Sequence, residues 1–351
     1  MSQPDAPAMR TPWTERVGVR YPILQDGMGG GALGTARLAA AISNAGGLGS
    51  LSIPGGQSGP EIEAAMRDQI ETALSLTDKP LAVNVPVGFD PDGKILPTTT
   101  QVLDVIVAAR RADTAAERQI VLVTTSAGAP GDFSAMVRDA GLLHEHKVGA
   151  PAHARKAVEA GADFVIASGW EMGAHTHAVP MTTTILAPAV LDEVEVPVLV
   201  SGGIKDGRGL AAMLAMGAAG VAMGTRFLVS AENDWHDNYI QRIQNATVAD
   251  SIVVPGVYGP CRYLRSKATD DLLEIVRRGE LTGDALTDWK NHRSHIAQRD
   301  GDVAEGFTAA GMVGGLITDR PTVSEIIQSM VRQASELLGR VPSTAPAGVS
   351  S

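Results

Sequence analysis

At 351 residues the chain is long enough for one large domain with an appended lobe, and 44% hydrophobic, 19% charged residues and 39 glycines describe a globular protein rather than a low-complexity one. With 29 basic against 39 acidic side chains the net charge is −10, and only 4% of residues are aromatic, which argues against a nucleic-acid surface or a base-stacking platform. The only cysteine, Cys261, excludes an internal disulfide or thiolate cluster, and no apolar window of roughly 20 residues exists to cross a bilayer, so a cytoplasmic protein is expected.

Residues 1–10 read as a loose leader. Tyr21 to Gln25 is a first strand, and Asp26 to Gly31 is a glycine-rich loop. An Ala-rich helix over Thr35 to Asn44 stops at Gly46-Gly47, and Leu48 to Leu51 is a second strand. Pro60 to Ser75 carries Ile62, Ala65, Met66, Ile70 and Ala73 at helical spacing. Pro80 to Asn84 is a third strand ending in a polar residue, followed by a helix over Thr100 to Arg111. Gln119 to Thr124 is the fourth strand, Leu142 to Val148 a weak fifth and Asp163 to Ala167 the sixth, with helices over Phe133 to Ala140 and Pro151 to Ala160 between them. A polar loop, Ser168 to Pro180, and a helix over Thr183 to Asp192 come next. The stretch VPVLVSGGIKDGRGLAAMLAMGAAGVAMGTRF, Val196 to Phe227, then reads as strand, glycine turn, helix, strand, glycine turn.

Eight strand signals alternating with helices point to a parallel sheet, closed as a (β/α)8 barrel, with a doubly wound open sheet as the alternative. After Phe227 the pattern becomes more charged and helical, with helices expected over Asp234 to Asn245, Thr269 to Arg278 and Gly283 to Ile296. The expected organisation is a barrel of residues 11–229 and 309–340, a smaller helical substrate lobe over 230–308, a closing helix over Pro321 to Leu338, and a disordered tail over 341–351.

A barrel of this kind carries its chemistry at the C-terminal ends of the strands. Ser201-Gly202-Gly203 and Met223-Gly224-Thr225 follow consecutive strands, and such turns either hold a phosphate on backbone N–H groups or are only tight turns. In the loop GWEMGAHTHAVP, His175 is either a base suited to a carbon acid or a structural hydrogen-bonding residue. His177 is the second candidate, or faces solvent, and Glu171 is a base or a brace for the loop. Met28, Met172 and Met312 suit packing or the face of a flat ring. No Gly-x-Ser-x-Gly elbow is present, His175-x-His177 alone does not make a metal site, and the Gly27-to-Gly31 cluster lacks the dinucleotide-binding spacing.

PILQDGMGG, the strand-end Asn84, GWEMGAHTHAVP, VLVSGGIKDGRGLAAMLAMGAAGVAMGTRFL and GMVGGLITDRPTVSEII occur in one order along the chain. Together they resemble the nitronate monooxygenase family, formerly the 2-nitropropane dioxygenases, from about Thr11 to Leu338. That family includes flavin-dependent enoyl-thioester reductases and some NAD(P)H:quinone reductases. The resemblance implies an FMN-binding barrel in which Gly202, Gly203, Met223, Gly224 and Thr225 cradle the phosphate. Gly27 and Met28 would lie along the flavin, Asn84 and Gly173 would contact it, and His175 would be the active-site histidine. The chain departs from the family's pattern at four places: Ser168 where a Gln is frequent, Glu171-Met172-Gly173-Ala174-His175 where the run is usually Glu-Ala-Gly-Gly-His, Gly311-Met312 where Gly-Gln is frequent, and Asp26-Gly27-Met28 where Ala-Pro-Met is usual. The implied flavin contact of Ser168 is therefore short, and Asp26, Met172, Thr176, His177 and Met312 are placed at the substrate or its entrance.

The resemblance leaves three functions open on a small-molecule substrate: oxidation of nitronates or nitroalkanes by oxygen to carbonyl and nitrite, NAD(P)H-dependent reduction of an enone, enoyl thioester or quinone, and a non-catalytic flavin-binding barrel. No pyridine-nucleotide motif is visible. A homodimer is compatible with the sequence but not specified by it. A purine-nucleotide dehydrogenase would share the Ser-Gly-Gly-Ile turn but needs a nucleophilic cysteine in a barrel loop, and Cys261 falls beyond the eighth strand.

Overall fold

The computed structural model describes residues 6–28, 33–52, 60–88, 92, 94–256 and 259–340. Gly29 to Gly31, the start of the leader and the tail over 341–351 lie outside the described residues.

The strands, in chain order, are β1 (Ile23–Gln25), β2 (Gly49–Leu51), β3 (Leu81–Val87), β4 (Ile120–Ala127), β5 (Leu143–Val148), β6 (Phe164–Ser168), β7 (Ala174–His175), β8 (Val198–Ser201), β9 (Gly220–Met223), β10 (Ser251–Pro255) and β11 (Pro260–Leu264). Eight of them form one parallel sheet in the order β1-β9-β8-β6-β5-β4-β3-β2. A parallel bridge between Leu24 and Leu48 joins the two edges and closes the sheet into a barrel. The strands are short runs of Val, Ile, Leu and Ala because both faces are buried, against the barrel interior and against the helices.

The lower barrel is apolar. A short helix, Pro12–Val17, capped by the Thr11 side chain, pushes Trp13 into the base, where it packs with Leu24, Leu48, Leu122, Phe164 and Leu199. The upper interior is polar. Along β5 the side chains alternate, so Glu145 and Lys147 point into the barrel while His144 and His146 point to its wall. This strand reads as weak in sequence because four consecutive polar residues break its apolar pattern; every one of them finds a buried or half-buried partner.

The helices expected from sequence are present within a few residues of their reading. The closing helix, Val323–Arg340, packs on the helix Gly207–Ala215. Residues 230–308 are not purely helical. The helices Asp237–Gln244, Lys267–Arg278 and Gly283–His295 are joined by the antiparallel hairpin β10–β11, which pairs with β7 from the polar loop to make a separate three-stranded sheet. The register sets Cys261 opposite His175 and ties the lobe to the end of the barrel that carries the site.

Candidate active site

Two cavities meet at the C-terminal end of the barrel. The first spans about 720 Å³, its opening to solvent included, and is lined by the Ser201–Gly203 turn, the Met223–Thr225 turn, Asp26 to Met28, Met172 to Ala174, and Trp235, Tyr239 and Gln298 from the lobe. Gly203 has φ +74, in the left-handed region that glycine reaches without a Cβ penalty. Thr225 Oγ1 accepts a hydrogen bond of 2.9 Å from Gly311 N, which ties the second turn to the returning chain. Tyr239 Oη bonds Ala309 on both its N–H and its carbonyl, at 2.8 and 3.1 Å, and so fixes the lobe over this cavity.

The floor of the first cavity is an ion pair. Lys147 Nζ lies 2.5 Å from Asp26 Oδ1, and both side chains are nearly buried. Ser201 Oγ donates to Asp26 Oδ2 at 2.7 Å and Gly27 N to Oδ1 at 2.9 Å, so the carboxylate has a donor on each oxygen. Below it, Glu145 is fully enclosed and accepts from Trp13 Nε1 at 3.2 Å and Thr124 Oγ1 at 3.3 Å. Its burial pushes the carboxyl pKa up to about 8.

The second cleft, about 1460 Å³ with its opening to solvent included, shares Gly27, Lys147, Met172, Gly173 and Ala174 with the first. Its remaining wall includes Asn84, His146, His153, Lys156, His175, Thr176 and His177. The His175 ring is open to the cleft, yet protein surrounds most of it. That surrounding wall, and then the positive charges of Lys290 and Lys147, pull its pKa below the ordinary histidine value; because the ring meets solvent, the direction of the shift carries the argument and not its size. At neutral pH the imidazole is therefore uncharged and able to accept a proton. His177 packs against Gly149, where a Cβ would stand 1.9 Å from the ring, so this glycine makes room for it.

Gly27, Met28, Gly173, Gly202, Gly203, Met223, Gly224, Thr225, Asp26 and Met172 all line the first cavity, and Asn84, His175, Thr176 and His177 line the second. His177 is half-buried in the cleft wall rather than facing solvent. Two expected residues are in neither wall. Ser168 is fully buried at the end of β6 with its hydroxyl unpartnered, and Met312 sits in the 3-10 turn Met312–Leu316 while its neighbours Gly311 and Val313 reach the cavity. Glu171 braces the loop, its carboxylate accepting from Thr183 N at 2.9 Å and Thr183 Oγ1 at 2.8 Å. Lys147, His146, His153 and Lys156, and Trp235, Tyr239 and Gln298 of the lobe, line the two cavities and are missed by the sequence reading. The available signal for the first two was the run His144-Glu145-His146-Lys147 inside a barrel strand.

A family model described as "Nitronate monooxygenase" matches residues 10–333. A protein of Rhodococcus jostii named (3aS,4S,5R,7aS)-5-hydroxy-7a-methyl-1-oxo-octahydro-1H-indene-4-carboxyl-CoA dehydrogenase is 34% identical, with 93% of this chain and 96% of the relative covered. A probable nitronate monooxygenase of Staphylococcus saprophyticus is 28% identical over 93% of this chain and 98% of its own. Among solved structures, FabK from Thermotoga maritima superposes with a TM-score of 0.82 at 31% identity, covering 94% of this chain and 98% of that one. No helix among the described residues is long and apolar enough to cross a membrane.

Proposed function

Because the chain belongs to the nitronate monooxygenase family and is an oxidoreductase, we propose that it uses FMN to exchange a hydride with a carbon carried by a coenzyme A thioester. The observation that carries this reading is the pairing of the two cavities. One is built around two glycine turns, and the other is a cleft whose lining includes His175 and, among the described residues, no carboxylate.

The residues of the first cavity fit FMN. Gly202 and Gly203, at φ +107 and +74, keep side-chain bulk out of the turn after β8. Gly202, Gly203, Gly224 and Thr225 would hold the phosphate, and Gly27, Met28, Asn84 and Gly173 would border the ring. FMN, when bound, supplies the acceptor or donor of the hydride. The chain supplies the rest. Uncharged His175 takes the proton of a substrate hydroxyl in the oxidative direction and returns it in the reductive one. The Asp26–Lys147 pair holds a fixed dipole beneath both cavities. Met172 and Tyr239 restrict water from the side of the lobe. Resetting the cofactor takes NAD(P)H in the reductive direction and an acceptor such as NAD(P)+ in the oxidative one.

A second reading, oxidation of nitronates, is favoured by the name of the Staphylococcus saprophyticus relative and by the family's description. Anaerobic addition to the FMN-loaded protein separates the two. Bleaching by NADH or NADPH, reversed by an enoyl- or ketoacyl-CoA, supports thioester chemistry. Bleaching by an alkyl nitronate, with none by either nucleotide or by a hydroxyacyl-CoA, overturns it.

A further inference from the structure

We propose that the second cleft contains a phosphate-binding subsite, formed by His146, His153, Lys156 and His177, that takes the phosphorylated adenosine end of a substrate or co-substrate. The inference rests on the thioester reading only for the identity of the ligand.

The charge of the cleft is the first observation. In a chain with 39 acidic and 29 basic side chains, no Asp or Glu lines this wall, whereas four of the eight histidines and two lysines do. Lys147 is neutralised by Asp26, but Lys156 has no ion-pair partner among the described residues. His153 and Lys156 stand three residues apart on the helix Pro151–Glu159, both exposed, so they share one face and turn it to the cleft.

The second observation is a buried donor directed into the same space. His146 is 5% exposed, lines the cleft, and uses only Nδ1 in a hydrogen bond, to Thr125 Oγ1 at 2.8 Å. Thr125 Oγ1 is also 2.7 Å from His144 Nε2, and His144 Nδ1 is 2.9 Å from Ser134 Oγ. With Ser134 donating first, each group in this chain passes one hydrogen bond forward, and His146 presents Nε2–H to the cleft. His177 adds a buried Nε2 without a partner. Burial is the first cause that pulls both of these histidines down, to about 3 for His146 and about 4 for His177, so at neutral pH both rings are uncharged and donate from Nε2 in the Nε2–H tautomer, while Lys156 carries the charge. Several nitrogen donors around one cation, with no acidic side chain among them, suit a phosphate rather than a single carbonyl.

Coenzyme A and NADPH both carry an adenosine bisphosphate, so the two are separated by fragment. Calorimetry on the FMN-saturated protein, whose glycine turns are then occupied, would compare adenosine 3′,5′-bisphosphate, adenosine 2′,5′-bisphosphate and adenosine. At least one bisphosphate is expected to bind roughly tenfold or more tightly than adenosine, and Lys156→Ala with His153→Ala to remove roughly that factor. Preference for the 3′,5′ isomer assigns the subsite to coenzyme A, and preference for the 2′,5′ isomer to NADPH. Both substitutions are on an exposed helix face, so circular dichroism should show the fold intact. Equal binding of adenosine and both bisphosphates, or full affinity in the double variant, overturns the subsite. Thioester turnover beside an unaltered bisphosphate affinity sinks the subsite and leaves the function standing. A lost affinity in a protein that turns over no thioester does the reverse.

Discussion

The two sides of the barrel mouth solve binding differently. On the β8–β9 side the groups facing the cavity are backbone, presented by Gly202, Gly203 and Gly224 after short apolar strands. On the β4–β6 side they are side chains, held by a chain of buried hydroxyls and imidazoles and by the Asp26–Lys147 pair. Backbone recognition demands glycine at fixed offsets and so leaves a linear signature. Side-chain recognition is assembled from residues far apart in sequence and leaves almost none.

The largest effect is expected on the backbone side. Gly203→Val places a β-branched residue at φ +74 and a side chain at the phosphate turn, and should abolish FMN binding, read as loss of the visible flavin spectrum with circular dichroism unchanged. A yellow Gly203→Val protein would remove the phosphate from this turn. On the other side, His175→Ala should retain FMN yet lower kcat by roughly 10²–10⁴-fold. Full turnover in that variant would leave His175 a purely structural residue of β7.

The same contrast explains what was legible in the sequence. The barrel was, because its strands are short apolar runs bounded by glycine and proline, and so were the two glycine turns. The motif around His175 marked one cleft residue, but the short strand Ala174–His175 was not visible, since it exists only by pairing with Cys261 and Arg262 of the lobe. The hairpin over Ser251–Pro255 and Pro260–Leu264 had a local signal in its β-branched SIVV run, masked by the helical pattern on either side. Glu171 could be read as a base or a brace from sequence; the bracing contact with Thr183 becomes visible only in the fold. Lys147 and His146 looked like defects in a weak strand because their partners, Asp26 and Thr125, come from β1's loop and β4.

Buried and exposed ion pairs differ in the same way. Asp26→Asn leaves Lys147 nearly buried without a counter-charge and should cost about 3 kcal/mol in chemical denaturation. Asp206→Asn, which breaks the exposed pair with Arg208, should cost about 1 kcal/mol or less. Lys147→Met in the Asp26→Asn background should recover much of the loss, because it removes the uncompensated charge. An Asp26→Asn protein as stable as the parent would show that water already solvates Lys147 from the cleft.

The subtlest test uses pH. Glu145 titrates at about 8 in the folded protein, against an ordinary value of 4.5, with burial as the chief cause and the nearby Asp26 charge acting in the same direction. Between those values the native state holds a proton that the unfolded chain has released. Stability contributed by this group is therefore present below pH 4.5 and is lost as pH rises toward 8. His144 and His146 act in the opposite sense and in a lower window: burial depresses both, to about 4 and about 3, so their contribution is lost as pH falls below 6.5. Glu145→Gln keeps a neutral side chain of the same shape at every pH. Its denaturation midpoint should match the parent near pH 5 and exceed it increasingly by pH 8, while the acid limb governed by the histidines stays unchanged. Parallel curves for parent and variant across that range would mean that Glu145 is already ionised in the native state, its charge offset by Lys147 rather than by a proton, and Lys147 would then belong to Glu145 as much as to Asp26.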